Sequence, residues 1–177
     1  MPVPTQPFAG IVYRAHNPRW SYAPTSGEGA ARHGGRFNPR GIPALYTSLD
    51  PKTAWMEAQQ VMPFKAQPLT LVAYRLSCER VADLTDPRVL AAAGVEAKTL
   101  AGPWEALASQ GLRPPTWDLA EVLIDAGIEG ALVPSFAPGT GAEDRNLVLW
   151  RWSEDGPCRV QVIDDFGHLP KDDASWR

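Results

Sequence analysis

Apolar residues gather along this chain in short runs rather than in long helical stripes. Ala9-Gly10-Ile11-Val12-Tyr13-Arg14 predicts one strand and Ala44-Leu45-Tyr46-Thr47 a second. Over 69–76 the alternation of apolar and polar residues is poor, and the run Leu71-Val72-Ala73-Tyr74 predicts a central, covered strand. Further strands are predicted at 80–84, 129–134, 146–152 and 158–163. Between the first two strands, the segment up to Gly41 is rich in Gly, Pro, Ser and Arg and has no apolar period. It predicts a long loop; loops of that length in compact domains are usually functional or disordered, and a functional loop is expected here.

Asp50-Pro51 supplies a helix cap followed by proline at the first helical position, so a helix is predicted from there to about Met62, before Pro63. Along it Ala54, Met56, Glu57, Gln60 and Val61 share or adjoin one face. Glu57 thus sits where core-directed residues sit, and an ionised carboxylate there needs a partner. Helices are also predicted after Asp86-Pro87, after Pro103, and over Trp117–Ala126 with Thr116 as cap and Gly127 as stop. The pattern is that of an α+β fold: a single mixed domain, with a central β-sheet core and helices around it, and no internal repeat. The domain is expected to span 8–169, with tails at 1–7 and 170–177.

Composition narrows the functional classes. A chain of 177 residues suits one core, and no stretch approaches the ~20 apolar residues needed to cross a bilayer. The first residues carry no basic segment followed by an apolar run, so a cytoplasmic location is expected. Cys78 and Cys158 have no neighbouring Cys or His, which predicts buried, reduced thiols and neither a disulfide framework nor a metal site. The net charge of −3 argues against direct nucleic-acid binding. Arginines nevertheless concentrate in the first forty residues, leaving room for a local anion site. Trp104, Trp117, Trp150 and Trp152 are expected mainly in the core.

Three segments carry candidate chemistry: Val12-Tyr13-Arg14; then Gly34-Gly35-Arg36-Phe37-Asn38-Pro39-Arg40-Gly41 leading into Leu45-Tyr46 and Glu57; and Val133-Pro134-Ser135 followed by Asn146. Together, over about residues 12 to 148, they resemble the RES-domain family, named for an arginine, a glutamate and a serine that here would be Arg36, Glu57 and Ser135. Phe37 departs from the family's commoner tryptophan, an aromatic exchange that preserves packing. The resemblance implies a fold similar to the diphtheria-toxin class of ADP-ribosyltransferases, and the toxin half of a two-gene toxin–antitoxin module. It also implies use of NAD⁺ as substrate, degraded by phosphorolysis or hydrolysis or spent in passing ADP-ribose to a protein acceptor. The implied partner is an Xre-like helix-turn-helix antitoxin that covers the pocket.

The residue types suit this chemistry in their own right. Arg14 and Arg36 are candidates for the two phosphates of NAD⁺, because guanidinium groups bind phosphate bidentately. Gly34-Gly35 allows a sharp turn or close approach of backbone to a ligand. Glu57 is the catalytic candidate, since breaking the nicotinamide–ribose bond builds positive charge on the sugar and a fixed carboxylate stabilises it. A second carboxyl group is not required, because nicotinamide is already cationic in NAD⁺ and departs neutral. Tyr46 would place its ring against nicotinamide, with its hydroxyl on a polar partner. Ser135 lies in no Gly-x-Ser-x-Gly elbow and has no histidine to activate it, so it is assigned to binding and positioning. Asn146 either touches the ligand or fixes the Ser135 loop.

Gly27-Glu28-Gly29-Ala30-Ala31-Arg32 imitates a dinucleotide fingerprint but ends in Arg32 and lacks the preceding strand, which excludes a Rossmann site. Two alternatives compete with NAD⁺ cleavage. In a ribonuclease-type toxin, His16, Arg36 and Glu57 would perform acid–base catalysis; a non-catalytic inhibitor would bind a host protein through its aromatic surface.

Overall fold

The computed structural model describes residues 2–59 and 65–177. Six strands carry the fold: β1 (Gln6–His16), β2 (Leu45–Ser48), β3 (Thr70–Asp83), β4 (Gly130–Pro134), β5 (Arg145–Leu149) and β6 (Cys158–Val162). Five of them close on themselves. β1 pairs with β2, β2 with β5, β5 with β4, β4 with β3, and β3 returns to β1, while β6 is added to β3. Four of these five pairings are antiparallel and β3–β4 is parallel. The closing contact of β1 with β2 is a single register pair, Tyr13 opposite Ser48.

Two apolar clusters follow from the alternation of side chains across the strands. One contains Val12, Leu45, Val72, Tyr74, Leu76, Leu147, Leu149 and Val160. The other joins Ala131, Val133 and Val148 to buried side chains of α3 (Pro87–Ala92), α4 (Ala97–Leu100) and α6 (Pro115–Asp125); helix α5 (Trp104–Ser109), between α4 and α6 in sequence, holds no buried residue. Among the described residues, no helix is long and apolar enough to cross a membrane.

The mixed α+β domain with a sheet core is as the sequence predicts; several details differ. The stretches 69–76 and 80–84 belong to one strand, β3, whose Val72, Tyr74, Leu76 and Cys78 are buried while Leu71 and Arg75 are exposed. The segment before Gly41 is not a structureless loop: it holds a 3₁₀ turn at Pro18–Trp20 and helix α1 (Glu28–His33). β1 begins at Gln6, inside the segment expected to be a tail. Helix α6 starts at Pro115 with Pro114 at the cap, so Thr116 lies within the helix, buried, its hydroxyl without a hydrogen-bond partner among the described residues. Pro115 fits the first helical position because its missing N–H has no role there.

The cysteines correct the sequence expectation most directly. Cys78 and Cys158 face each other across β3 and β6 and are joined by a disulfide, 80 residues apart in sequence. Antiparallel pairing brings directly opposed Cβ atoms close, and no spacing rule in the sequence reports that register.

Helix α2 (Pro51–Gln59) follows β2 at once. Asp50 caps it, its Oδ1 accepting from the N–H groups of Lys52 and Thr53. Thr53 donates to Asp144 Oδ1 at 2.7 Å, tying the start of the helix to the chain just before β5. Gln60, Val61 and the predicted helix end at Met62 lie outside the described residues.

Candidate active site

A cavity of about 770 Å³ opens between β1, β2, α2, the Gly34–Phe37 turn and the start of α5. Arg14, Arg36, Tyr46, Glu57 and Asn146 all line it, and Ser135 reaches it through Glu57.

At one end stands the Glu57 carboxylate. Ser135 Oγ donates to Glu57 Oε1 at 2.6 Å, and Asn146 Nδ2 donates to the same oxygen. Ser48 Oγ donates in turn to Asn146 Oδ1 at 2.6 Å, which sets the amide so that its nitrogen faces Glu57. These contacts follow from register. Ser48 is paired with Asn146, and Asn146 with Val133, so the ends of β2, β5 and β4 converge beneath α2. Asn146 therefore touches the glutamate itself; its effect on the Ser135 loop is indirect.

Arg36 is held on three sides. Its Nη1 donates to the carbonyls of Leu100 at 3.1 Å and Gly102 at 2.7 Å, and its guanidinium lies 4.7 Å from the centre of the Phe136 ring. Burial pulls it below its ordinary pKa, while the negative charge of nearby Glu57 acts the other way. The arginine is thus a preorganised cation with further N–H groups beyond the one Nη1 already bonded. Arg14 is anchored less tightly, its Nη1 donating to the carbonyls of Pro24 at 3.3 Å and Ser26 at 3.2 Å.

Tyr46 holds the Gly-rich turn. Its hydroxyl donates to Asn38 Oδ1 at 2.7 Å and accepts from the Phe37 N–H at 3.0 Å. Burial raises its pKa well above the ordinary value. The ring remains available to the cavity; the proton does not. Asn38 Nδ2 completes the turn by donating to the carbonyls of Ala30 and Ile42. A Cβ at Gly35 would lie 2.5 Å from the Tyr46 hydroxyl oxygen and 2.6 Å from Asn38 Oδ1, so only glycine fits. Gly34 has φ +76°, where glycine alone is unstrained.

A family model for the RES domain matches residues 11–172, nearly the whole chain. The chain belongs to the RES family. Its structure is similar to one chain of the crystal structure of the M. tuberculosis MbcT–MbcA toxin–antitoxin complex, with a TM-score of 0.61 and 20% identity, covering 97% of this chain and 89% of that one. No curated protein matches the sequence.

In this RES domain Arg36, Glu57 and Ser135, the residues singled out by the sequence resemblance, lie together: Ser135 is bonded to Glu57, and Arg36 is within electrostatic reach of Glu57. His16 is not brought in. It is buried at the end of β1, neither ring nitrogen has a hydrogen-bond partner among the described residues, and burial together with the Arg14 charge lowers its pKa to about 4. It is not among the residues that line the cavity. Trp104 departs from the expected core placement, since it lines the cavity and is only partly buried. Phe136, Glu105, Tyr13 and Ser48 also line the cavity, beyond the site residues expected from the sequence. Phe136 directly follows Ser135, and Tyr13 directly precedes Arg14; adjacency to a motif residue was the available signal.

Proposed function

We propose that this RES domain is the toxin of a toxin–antitoxin pair and that its cavity cleaves the bond between nicotinamide and ribose in NAD⁺. The observation that carries this reading is the Glu57 carboxylate, fixed by Ser135 and Asn146 in a cavity that also presents Arg14 and Arg36. Two cations suit the two phosphates of a dinucleotide. The carboxylate suits a sugar that becomes cationic as the neutral base leaves with the bonding electron pair. Water, phosphate or a protein side chain then adds to the ribose carbon and loses its proton to solvent. Asn146 and Ser135 keep the carboxylate oriented, each donating a hydrogen bond to its Oε1.

The partner in this reading is an antitoxin that closes the cavity; the similar fold in a toxin–antitoxin complex supports it. Purified protein is incubated with NAD⁺, with and without phosphate, and with cell lysate, and the products are identified by mass. Free nicotinamide is expected in every case. ADP-ribose, ADP-ribose 1″-phosphate or a modified protein identifies the acceptor. Intact NAD⁺ under all conditions overturns the reading.

A further inference from the structure

The cavity extends well beyond the Glu57 cluster, to the first turn of α5, where Trp104 and Glu105 line it. Trp117, Trp150 and Trp152 each donate their indole N–H to a backbone carbonyl, of Gly35, Phe37 and Thr25. Trp104 differs: among the described residues its indole N–H has no hydrogen-bond partner, and its side chain stays partly exposed. Glu105 is exposed and makes no ion pair among the described residues.

Arg36 relates the two ends. It senses Glu57 electrostatically and is bonded to the carbonyl of Gly102, two residues before Trp104. Two lining aromatics stand on strands: Tyr13 is paired with Ser48, which is bonded to Asn146, so it belongs to the Glu57 end, and the Tyr46 hydroxyl is tied to Asn38 and to the Phe37 N–H in the Gly-rich turn. If a dinucleotide sets its reacting ribose at Glu57 and its phosphates at Arg36, its second nucleoside falls toward α5.

Resting on the NAD⁺ reading, we infer that Trp104 is the stacking platform for the adenine ring, and that Glu105 beside it disfavours a phosphate on the adenosine ribose. The site would then select NAD⁺ over both nicotinamide mononucleotide and NADP⁺. Stacking of a base on an aromatic side chain is worth about tenfold to a hundredfold in affinity. A carboxylate facing a 2′-phosphate repels it at short range.

Nicotinamide release from NAD⁺, NADP⁺ and nicotinamide mononucleotide is measured as kcat/KM for the wild-type protein, Trp104→Ala, Trp104→Phe and Glu105→Gln. In Trp104→Ala the preference for NAD⁺ over the mononucleotide should fall roughly tenfold or more, through KM, and Trp104→Phe should restore most of it. In Glu105→Gln the ratio of NADP⁺ to NAD⁺ use should rise at least about fivefold. Wild-type preferences retained in Trp104→Ala, with a normal melting temperature, overturn the platform; an unchanged NADP⁺ ratio in Glu105→Gln overturns the charge selection. Release from none of the three substrates by the wild-type protein overturns the NAD⁺ reading itself.

Discussion

Ser135 and Glu57, 78 residues apart in sequence, meet in a 2.6 Å hydrogen bond that joins the residue just past β4 to helix α2. The serine hydroxyl donates and the carboxylate accepts. Asn146 donates to the same oxygen, so two neutral donors fix the orientation of the carboxylate.

Ser135→Ala should therefore slow NAD⁺ turnover more than it weakens binding. A hydrogen bond to a charged group contributes ~1.5–3 kcal/mol, so kcat is expected to fall about tenfold with KM nearly unchanged. Steady-state kinetics with a melting curve on the same preparation checks this; a rise in KM alone would make Ser135 a substrate contact instead.

Arg36 rests on Phe136 and on two carbonyls, so both its charge and its orientation matter. Arg36→Lys keeps the charge and loses the planar fork, and should raise the KM for NAD⁺ roughly tenfold. Phe136→Leu removes a cation–π contact worth ~0.5–2 kcal/mol and should raise KM by a smaller factor, with Phe136→Tyr close to wild type. Titration with NAD⁺ followed by calorimetry distinguishes these effects from loss of folded protein.

His16 makes stability depend on pH. Its folded pKa is lowered to about 4, against an ordinary value of 6.5, by burial and by Arg14. Between these values the unfolded chain takes up a proton that the folded chain refuses, so stability is present above pH 6.5 and is lost as pH falls toward 4. The melting temperature should drop by roughly 5 °C between pH 7 and pH 5 from this group. His16→Leu should flatten that portion of the curve, and an unaltered slope in the variant would remove His16 as its source.

Much of the sheet is legible in the sequence because β-branched and apolar runs, bounded by Gly and Pro, mark 129–134 and 158–163, and Asp50-Pro51 marks the start of α2. The convergence of Arg36, Glu57 and Ser135 was legible only through the family pattern, since their contacts depend on the pairing of β2, β4 and β5. Helix α1 was not legible: it is six residues long with no apolar period, and its position is fixed by tertiary contacts such as Asn38 Nδ2 with the carbonyl of Ala30. The Cys78–Cys158 pair depends on the register of β3 with β6, which spacing does not encode. Trp104 looked like core because large aromatics usually are; its exposure to the cavity is set by the turn between α4 and α5.

Glu57→Gln tests the central claim most directly. Glutamine offers its carbonyl oxygen to Ser135 and Asn146 and keeps the size of the side chain, so the fold and NAD⁺ affinity should be preserved while the charge is lost. Removing one such electrostatic contact costs about 3–4 kcal/mol of barrier, or roughly 10² to 10³ in rate. The account predicts that slowing in nicotinamide release, at nearly unchanged NAD⁺ affinity and melting temperature. A folded Glu57→Gln protein that releases nicotinamide at the wild-type rate would contradict it.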